Sequence, residues 1–406
     1  MLKAINPQSR KRFLSSRYFV GKIREHGLRG LLGIIWARIL SKYKRFYYPL
    51  KQKTVDFFTA PIYGRKKRDN TLYAFYDLEV SAVTFDIVPF MVLAENRRMQ
   101  INCKRIHLMI IPGSFGGFKQ DAEISFYDKQ WRLKNILIPS GWLIPNCESV
   151  TVFGSRNEAK EFLQHKSIST VYPMNSTLNN PRKGYRTIDA INASKDSKRL
   201  PSINSSKSAL NYIKEWLNFN VGSRKPIVIT LRECQYRKSR NSNLEEWARF
   251  ARNLGDDYCP IILRDTDKEL HPIPEVLKDM LLFSAPVWNV DLRTALYELA
   301  YLHLHVNDGP GALCLHNHRS RWIRFKMLPS NDSELAKKME KWNERDGIFP
   351  GMQFPWTTHF QKCVWENDKY EVIMREFETM CGKIEKHEQE DKEITVAKKK
   401  YRDRDI

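Results

Sequence analysis

The stretch that decides the fold runs from Lys225 to Asn243 and reads Lys-Pro-Ile-Val-Ile-Thr-Leu-Arg-Glu-Cys-Gln-Tyr-Arg-Lys-Ser-Arg-Asn-Ser-Asn. Its apolar run at 226–231 predicts a buried strand, which ends in a strongly basic loop. A helical pattern follows from Asn243 to Leu254. A strand-to-helix turn gathers backbone N–H groups and the positive end of the helix dipole, which favours anions. The stretch therefore predicts an α/β unit with an anion site at its turn, the alternative being a solvated basic loop.

Strands and helices alternate on both sides of this stretch, which argues for mostly parallel sheets. The pattern predicts an α/β protein of two Rossmann-like domains facing a cleft. Its predicted parts are a basic N-terminal segment 1–53, an N-terminal domain 70–175, a linker 176–208, a C-terminal domain 209–363, a C-terminal helix 364–382 and a charged tail 383–406. The linker prediction rests on a stretch rich in Ser, Asn, Lys and Pro that shows no sustained periodicity.

The composition describes a globular, basic chain. Of 406 residues, 42% are hydrophobic, and Lys and Arg exceed Asp and Glu by 68 to 46, a net charge of +22. Such an excess points to an anionic partner, whether nucleic acid, a membrane surface or a phosphorylated ligand. Seven scattered cysteines without a CxxC pair argue against a disulfide framework or zinc cluster and fit a reducing, cytosolic environment.

The N-terminal segment 1–53 contains a single acid, Glu25. Its apolar positions follow the helical period and predict one apolar face, formed by Leu28, Leu31, Leu32, Ile35 and Ile39, with Trp36 beside it. A basic helix of this kind lies in an anionic membrane surface. No apolar run there is long enough to span a membrane. A helix packed on its own protein, a basic arm and a mitochondrial transit peptide are the alternatives.

In the N-terminal domain, acidic residues cluster where the first strand ends. Ligands of open parallel sheets bind outside the carboxyl ends of the strands, so Glu79 or Asp86 is predicted to be a catalytic base. Asp86 has a second interpretation as a cap of the helix that follows, and either acid is alternatively a solvated loop charge. Glycines in the loop 112–118 either let the backbone approach a ligand or form an ordinary turn.

In the C-terminal domain, two strand-end loops carry the predicted anion site. Arg232, just past the opening strand, and Arg240, near the helix start, are placed to bind a diphosphate. The second loop, Asn307-Asp-Gly-Pro310, follows another strand; Gly309 allows unusual backbone angles and Pro310 suits a helix start. A plain turn that opens a helix is the alternative interpretation of this loop.

Several segments together resemble the GT-B class of nucleotide-sugar glycosyltransferases, in particular bacterial glycosyltransferase-like proteins found among surface-polysaccharide genes. The segments are Phe75–Val80, Thr84–Asp86, Ala94–Arg97, Ile110–Gly113, Thr230–Glu233, Arg240–Asn243, Leu296–Glu298 and Val306–Pro310. The last of these is similar to the donor-phosphate turn of heptosyltransferases. The resemblance covers residues 70–375.

The resemblance implies sugar transfer from a nucleotide-sugar donor to a glycan or lipid-linked acceptor in surface-polysaccharide synthesis, at the inner face of the cytoplasmic membrane. It implies no cofactor and no metal; Asp265-Thr-Asp267, the nearest approach to a metal-binding motif, contacts a ribose or faces solvent. Glu79 or Asp86 would be the base. The donor-binding residues would be Arg232, Tyr236, Arg240, Asn241, Ser242, Asp265, Asn307, Asp308, Gly309 and Pro310.

Two other functions stay open on the sequence. The net charge is compatible with a nucleic-acid-binding protein, although no zinc finger, RRM signature or heptad-bearing basic region is visible. A catalytically inactive relative that serves as a scaffold would show the same segments.

Overall fold

A computed structural model describes residues 70–120, 124–165, 170–197, 200–235, 237–328, 333–345 and 347–402. The predicted basic segment 1–53 lies outside these residues, and so do its membrane-contact positions Leu28, Leu31, Leu32, Ile35, Trp36 and Ile39. The same is true of Tyr236 in the predicted donor site. Among the helices of the described ranges, none combines the length and the apolar character needed to cross a membrane.

The N-terminal sheet has four parallel strands in the order β3-β2-β1-β4. The strands are β1 (Thr71–Asp77), β2 (Arg105–Ile111), β3 (Cys147–Val152) and β4 (Val171–Tyr172). The helices are α1 (Ile87–Gln100), α2 (Phe126–Arg132), a π-helical turn (Leu133–Leu137), α3 (Ile138–Gly141), α4 (Arg156–His165) and α5 (Thr187–Ser197). β1 is buried along its whole length, as expected of a central parallel strand covered on both faces.

The C-terminal sheet has six parallel strands in the order β10-β9-β8-β5-β6-β7. The strands are β5 (Lys225–Thr230), β6 (Tyr258–Leu263), β7 (Leu281–Leu282), β8 (Leu302–Val306), β9 (Trp322–Phe325) and β10 (Gln361–Cys363). The helices are α6 (Lys207–Asn220), α7 (Leu244–Arg252), α8 (Ala285–Trp288), α9 (Val290–Leu299), α10 (Gly311–Leu315), α11 (Ser333–Arg345) and α12 (Tyr370–Arg402).

This order is that of a doubly wound Rossmann sheet, in which the first strand lies between the second and the fourth. In the C-terminal sheet β5 lies between β6 and β8, so the chain switches direction across the sheet between β5 and β8. In the N-terminal sheet β1 lies between β2 and β4 in the same way. The prediction of two Rossmann-like domains is confirmed, and the point between β5 and β8 is where such sheets bind ligands.

The two halves share one apolar core. Buried residues of α1 and of the π-helical turn belong to the same cluster as buried residues of α6, α9 and α10. At the boundary the rings of Trp131 and Trp288 meet edge to face, with centroids 5.8 Å apart. A second core covers the other face of the C-terminal sheet, under α7 and α12. The halves are therefore packed together through a shared core.

Two predicted segments fold differently from expectation. The predicted linker 176–208 contains α5, whose Ala190 and Ile191 are buried in the shared core, so it is not exposed throughout. The helix predicted at 364–382 does not cross back onto the N-terminal half. It is the start of α12, and its apolar positions at helical spacing cover the C-terminal sheet: Ile373, Phe377, Met380 and Ile384. This helix thus shares that face of the sheet with α7.

Candidate active site

The loop after β5 is folded back on itself around Arg232. The backbone N–H of Arg232 donates to Ser242 Oγ at 2.9 Å, and the N–H of Ser242 donates to the Arg232 carbonyl at 2.9 Å. The guanidinium of Arg232 donates to the Arg237 carbonyl at 3.1 Å and to Asn241 Oδ1. Arg232, Asn241 and Ser242 thus brace the loop, and Arg232 is less available to a ligand than the sequence predicts.

Arg240 joins the two predicted donor loops. Its Nη2 donates to the carbonyl oxygen of Asn307 at 2.5 Å. Its Nε is buried and has no hydrogen-bond partner among the residues that the structure describes. Burial, with nearby Arg232 and Arg237, lowers the pKa of Arg240 to about 10, against the pull of Asp308. Arg240 is therefore a desolvated cation with an unused donor.

The Asn307–Pro310 turn is organised by Asp308. Its Oδ1 accepts from the Gly311 N–H at 2.7 Å and lies 3.2 Å from His305 Nδ1. Its Oδ2 is buried without a partner in the described ranges. Burial alone would raise the pKa of Asp308, but His305 and then Arg324 hold it below its ordinary value. Asp308 is therefore the one carboxylate set among several cations at this turn.

Arg324 in β9 is the site residue that the sequence reasoning missed. It pairs in register with His305 of β8. Only 6% of the residue is exposed, and its guanidinium forms no hydrogen bond or ion pair with other described residues. A Cβ at Gly311 would lie 2.6 Å from Arg324 Nη2, so the glycine lets the turn rest directly on this side chain. The available signal was a single charge inside the apolar strand Trp322-Ile-Arg-Phe325.

Arg240 and Arg324 together have the chemistry to bind an anion. Desolvating a cation costs several kcal/mol, and Arg240 offsets part of this cost through its bond to the Asn307 carbonyl. Among the described residues, the Nε–H of each arginine has no hydrogen-bond partner, and both lie beside the turn at the switch point between β5 and β8. An anion with several acceptor oxygens would supply partners to both, because guanidinium groups suit phosphate and carboxylate. The turn Asn307–Pro310, which the sequence singled out, thus lies where the unpaired cations are.

The mouth of α7 is not an open anion site. The carboxylate of Asp368 accepts there from the Asn243 N–H at 2.8 Å and from Trp247 Nε1 at 2.9 Å. Asp368 also lies 3.3 Å from Lys326 Nζ. The side chain of Asn243 makes no cap. The protein's own carboxylate therefore occupies the helix start where the sequence predicted a phosphate.

Asp265 lies after β6 and links two loops. Its Oδ2 accepts from the Glu233 N–H at 3.2 Å and its Oδ1 from the Asp267 N–H at 3.3 Å. Burial, then the nearby Asp267, raises its pKa. The preceding Arg264 is paired with Glu233 through two hydrogen bonds of 3.1 and 2.8 Å. This end of the sheet is thus internally neutralised, unlike the end of β9.

The acidic residues at the carboxyl edge of the N-terminal sheet differ in their hydrogen-bond partners. Buried Asp77 pairs with Arg156 through contacts of 2.9 and 3.0 Å. Glu79 accepts from the Ser114 N–H at 2.6 Å and from Ser114 Oγ at 3.1 Å, and these bonds lower its pKa. Glu79 is therefore a poor base, and its visible role is to hold the loop that follows β2.

Asp86 is the other predicted base at this edge. Its side chain makes no capping bond to α1, although the residue stands at the start of that helix. The residue is exposed to solvent, and the Thr84 hydroxyl and the cations Lys183 and Lys119 act on its carboxyl. The ring of the preceding Phe85 would lie 3.2 Å from a Cβ on Gly309. Asp86 thus adjoins a contact between the N-terminal half and the Asn307–Pro310 turn.

A small cavity lies beside this contact. Its volume is about 10 Å³, enough for one water molecule. Phe85, Trp131, Thr266 and Trp288 are among its lining residues, so it lies between the two halves. The boundary under the site is therefore nearly filled by side chains.

One group of described residues has metal-ligand chemistry: His303, His305 and Cys314, with potential ligand atoms within 4.8 Å of one another. Both nitrogens of His303 are engaged, Nε2 with Thr230 Oγ1 at 2.8 Å and Nδ1 with Cys314 Sγ at 2.9 Å. The imidazoles of His303 and His305 stack 4.7 Å apart at an angle of 4°. Lone pairs in parallel ring planes do not converge on one ion, so the group fits a buried hydrogen-bond network.

The amino edge of the C-terminal sheet carries a larger cavity of about 430 Å³, lined by cations that include Lys225, Arg319 and Arg321. Each of these three has a carboxylate partner. The pairs are Lys225–Glu385 at 2.9 Å, Arg319–Glu298 at 3.4 Å and Arg321–Glu388 at 3.0 Å. These three cations are thus paired within the protein, in contrast to Arg324 at the carboxyl edge.

Comparison with known proteins gives matches among solved structures alone; no family model matches the chain, and no curated protein matches it in sequence. The chain is similar to a family 9 glycosyltransferase from Veillonella parvula, with 9% identity over 63% of this chain and 80% of that one, at a TM-score of 0.41. It is similar to the ADP-heptose LPS heptosyltransferase II of E. coli, with 8% identity over 78% and 99% of the two chains, at a TM-score of 0.41. It is also similar to the wall teichoic acid polymerase TagF, with 10% identity over 87% and 90%, at a TM-score of 0.30.

Proposed function

We propose that this protein is a glycosyltransferase of the GT-B type that moves a sugar from a nucleotide-sugar donor to an acceptor. One observation carries the proposal. Arg240 and Arg324 keep buried, unpartnered donors beside the Asn307–Pro310 turn, at the switch point of a Rossmann sheet. The diphosphate of a nucleotide sugar is an anion of the right chemistry for this place.

The reaction needs positive charge at the leaving group. The bond between the anomeric carbon and the diphosphate oxygen breaks, and the electron pair leaves with the nucleoside diphosphate. Arg240 and Arg324 are fixed by the loop and the sheet, so they stabilise that developing charge without reorganising. In this proposal no metal and no cofactor takes part.

The acceptor side needs a base. A hydroxyl oxygen of the acceptor attacks the anomeric carbon, and its proton passes to a carboxylate. Asp86 suits this role better than Glu79, because Glu79 is held by two hydrogen bonds from Ser114, whereas Asp86 is exposed to solvent and follows Phe85, whose ring faces Gly309. The new glycosidic bond then replaces the bond to the diphosphate.

The sequence resemblance supports a role in surface-polysaccharide synthesis, with a glycan or lipid-linked acceptor, at the inner face of the cytoplasmic membrane. The basic amphipathic segment 1–53 fits such a location. A nucleic-acid-binding protein and an inactive glycosyltransferase-like scaffold are the rival functions, and the experiment below separates them.

The test is thermal unfolding of the full chain with a panel of nucleoside diphosphates and nucleotide sugars. A ligand that binds the native state raises its stability, so at least one member should raise the Tm. Arg324→Met should remove the shift, whereas Arg252→Met, which removes a surface arginine paired with Asp279, should keep it. No shift with any nucleotide, together with salt-sensitive DNA binding, would favour the nucleic-acid function. A shift without sugar transfer to any acceptor would favour the scaffold.

A further inference from the structure

The segment that follows β9 is bonded to both loops of the candidate donor site. The Lys326 ammonium donates to the Asn241 carbonyl at 2.8 Å, in the loop after β5. The next residue, Met327, accepts at its own carbonyl from Asn307 Nδ2 at 3.3 Å, in the turn after β8. Two consecutive residues after β9 thus fasten two loops that lie far apart in the sequence.

These bonds connect the two arginines of the site. Arg324 lies two residues before Lys326 in the chain, and Arg240 directly precedes Asn241. Arg240 also donates to the Asn307 carbonyl at 2.5 Å. The bond to Asn307 acts on the Arg240 side chain, whereas the bond from Lys326 acts on the backbone next to it. Lys326 therefore links the backbone that carries Arg240 to the backbone that carries Arg324.

Lys326 is itself held in an unusual conformation. It is 7% exposed, and its φ of +54° is one that residues with a side chain rarely adopt. Its N–H donates to the Glu366 carbonyl at 2.9 Å. Its ammonium lies 3.3 Å from the buried carboxylate of Asp368, which offsets the cost of desolvating the charge. Strained backbone of this kind persists where the surrounding structure fixes it, and it clusters at functional sites.

We propose that Lys326 is a positioning residue, which holds Arg240 at the distance from Arg324 that lets both arginines bind one diphosphate at the same time. When each arginine binds one phosphate group of the same ligand, the second contact forms at a high effective concentration. That gain depends on the spacing of the two guanidinium groups. A ligand with a single phosphate group depends on the spacing much less. Lys326 thus makes the site selective for a diphosphate over a monophosphate.

The inference rests on the proposed function in one respect, because it takes Arg240 and Arg324 as the diphosphate site. It adds the origin of the selectivity between the two classes of anion. A role of Lys326 in folding alone would change the free energy of unfolding and leave the ratio of the two anion affinities as it is. That ratio is therefore the quantity to measure.

The experiment is isothermal titration calorimetry of the full chain with inorganic pyrophosphate and with inorganic phosphate, which test the spacing without a choice of base or sugar. The wild type should bind pyrophosphate at least about ten-fold more tightly than phosphate. The double variant Lys326→Met/Asp368→Asn removes the ammonium together with its carboxylate partner, so the net charge is unchanged and neither charge is left buried alone. It should reduce the preference for pyrophosphate to about two-fold or less.

The matched control is Asp368→Asn, which removes the same ion pair and keeps the bond from Lys326 to the Asn241 carbonyl. The amide oxygen at position 368 can still accept from the Asn243 N–H, as the carboxylate does. This control should keep the preference of the wild type. Urea unfolding establishes that each variant is folded before titration. If the double variant is unfolded, Lys326→Asn/Asp368→Asn takes its place, because asparagine adopts positive φ more readily than most residues.

The possible failures are distinguishable. A double variant that keeps the wild-type preference would overturn the role of Lys326 and leave the proposed donor site intact. An equal loss of preference in Asp368→Asn would also overturn it, because the ion pair, and not the bond to Asn241, would then set the spacing. A wild type with no preference for pyrophosphate would instead contradict the diphosphate site itself, and with it this inference.

Discussion

The carboxyl edges of the two sheets share one topology and differ in how they treat charge. In the C-terminal half, Arg324 is buried and Arg240 is half-buried, and the Nε–H of each has no hydrogen-bond partner among the described residues. In the N-terminal half, the buried Asp77 is matched by Arg156, and Asp86 is exposed to solvent. An edge with unused cationic donors suits an anionic donor substrate, and an edge with an exposed carboxylate suits an acceptor. The two sheets share a topology, and the side chains at their strand ends decide which substrate each edge suits.

The largest expected effect concerns the base of the N-terminal edge. Asp86→Asn should lower the rate of sugar transfer by about 10²–10⁴-fold, the usual contribution of a general base. Donor-induced stabilisation should stay unchanged, because the donor loops lie in the other half. Glu79→Gln is the matched control and should lower the rate far less. Equal losses in the two variants, measured in one transfer assay, would remove the distinction between these acids.

A second comparison sets the paired arginine of the C-terminal edge against the unpaired one. Arg264→Met leaves Glu233 buried without its partner and should cost about 3–5 kcal/mol in the free energy of unfolding. Arg324→Met removes a buried cation that has no hydrogen-bond partner among the described residues, although it helps to keep Asp308 ionised. It should therefore cost clearly less stability than Arg264→Met, and it should nonetheless abolish stabilisation by nucleotides. Urea unfolding with and without nucleotide measures both quantities; a loss as large as that of Arg264→Met would show that Arg324 is a structural group.

The fit of the donor turn onto β8 and β9 can be tested at Gly311. An added Cβ would lie 2.3 Å from His305 Cε1 and 2.6 Å from Arg324 Nη2. Gly311→Ala should therefore cost about 1–3 kcal/mol of stability through overpacking and should weaken nucleotide binding. Gly382→Ala is the control, since a Cβ there meets no atom within 4 Å and alanine is the better helix former. Equal stability of the two variants would contradict the close approach.

The buried histidines of the C-terminal half should make stability depend on pH. Burial, and then nearby Arg324, lowers the pKa of His316 to about 3, and burial lowers the pKa of His303 as well. The unfolded chain binds protons at these histidines below about pH 6.5, whereas the folded chain does not. Stability is therefore full above that pH and falls as the pH drops from 6.5 toward 3, by at most about 1.4 kcal/mol per unit for each histidine.

His316→Phe isolates the share of one histidine. The phenyl ring can replace the imidazole that stacks on Trp356, at 5.6 Å and 12°, but it does not titrate. Denaturant unfolding of the variant between pH 6.5 and pH 4 should show a shallower loss of stability than the wild type. The same slope in both proteins would mean that His316 is protonated in the folded state.

The sequence predicted those features that depend on local pattern. Alternating strands and helices indicated two Rossmann-like sheets, and the end of β5 and the turn after β8 were both expected near the ligand. The contact from Arg240 to the Asn307 carbonyl shows that these two loops do meet. Their functional roles stay predictions. Loops at the ends of neighbouring strands meet because a parallel sheet aligns its strand ends, so this much follows from order along the chain.

The features that depend on distant partners were not predictable in the same way. From the sequence, Arg232 and Arg240 were equal candidates for the donor site. In the structure, the guanidinium of Arg232 donates to Arg237 and Asn241 within its own loop. In the sequence, Arg324 is one residue of an ordinary strand. Its place beside the turn follows from the packing of Gly311 against its guanidinium, which the sequence does not show. The sequence indicated an open helix start at α7. In the structure, the carboxylate of Asp368, more than a hundred residues later in the chain, accepts a hydrogen bond there. Side-chain pairing of this kind is decided by tertiary packing.

The most direct test of the central claim is a structure of the full chain with the nucleotide sugar that stabilises it most. The account predicts diphosphate oxygens within hydrogen-bond distance of Arg240 and Arg324, beside the Asn307–Pro310 turn, with the anomeric carbon facing Asp86. A nucleotide bound instead at the amino edge, in the cavity lined by Lys225 and Arg321, would contradict it. So would a diphosphate at the carboxyl edge that leaves both arginines without a partner.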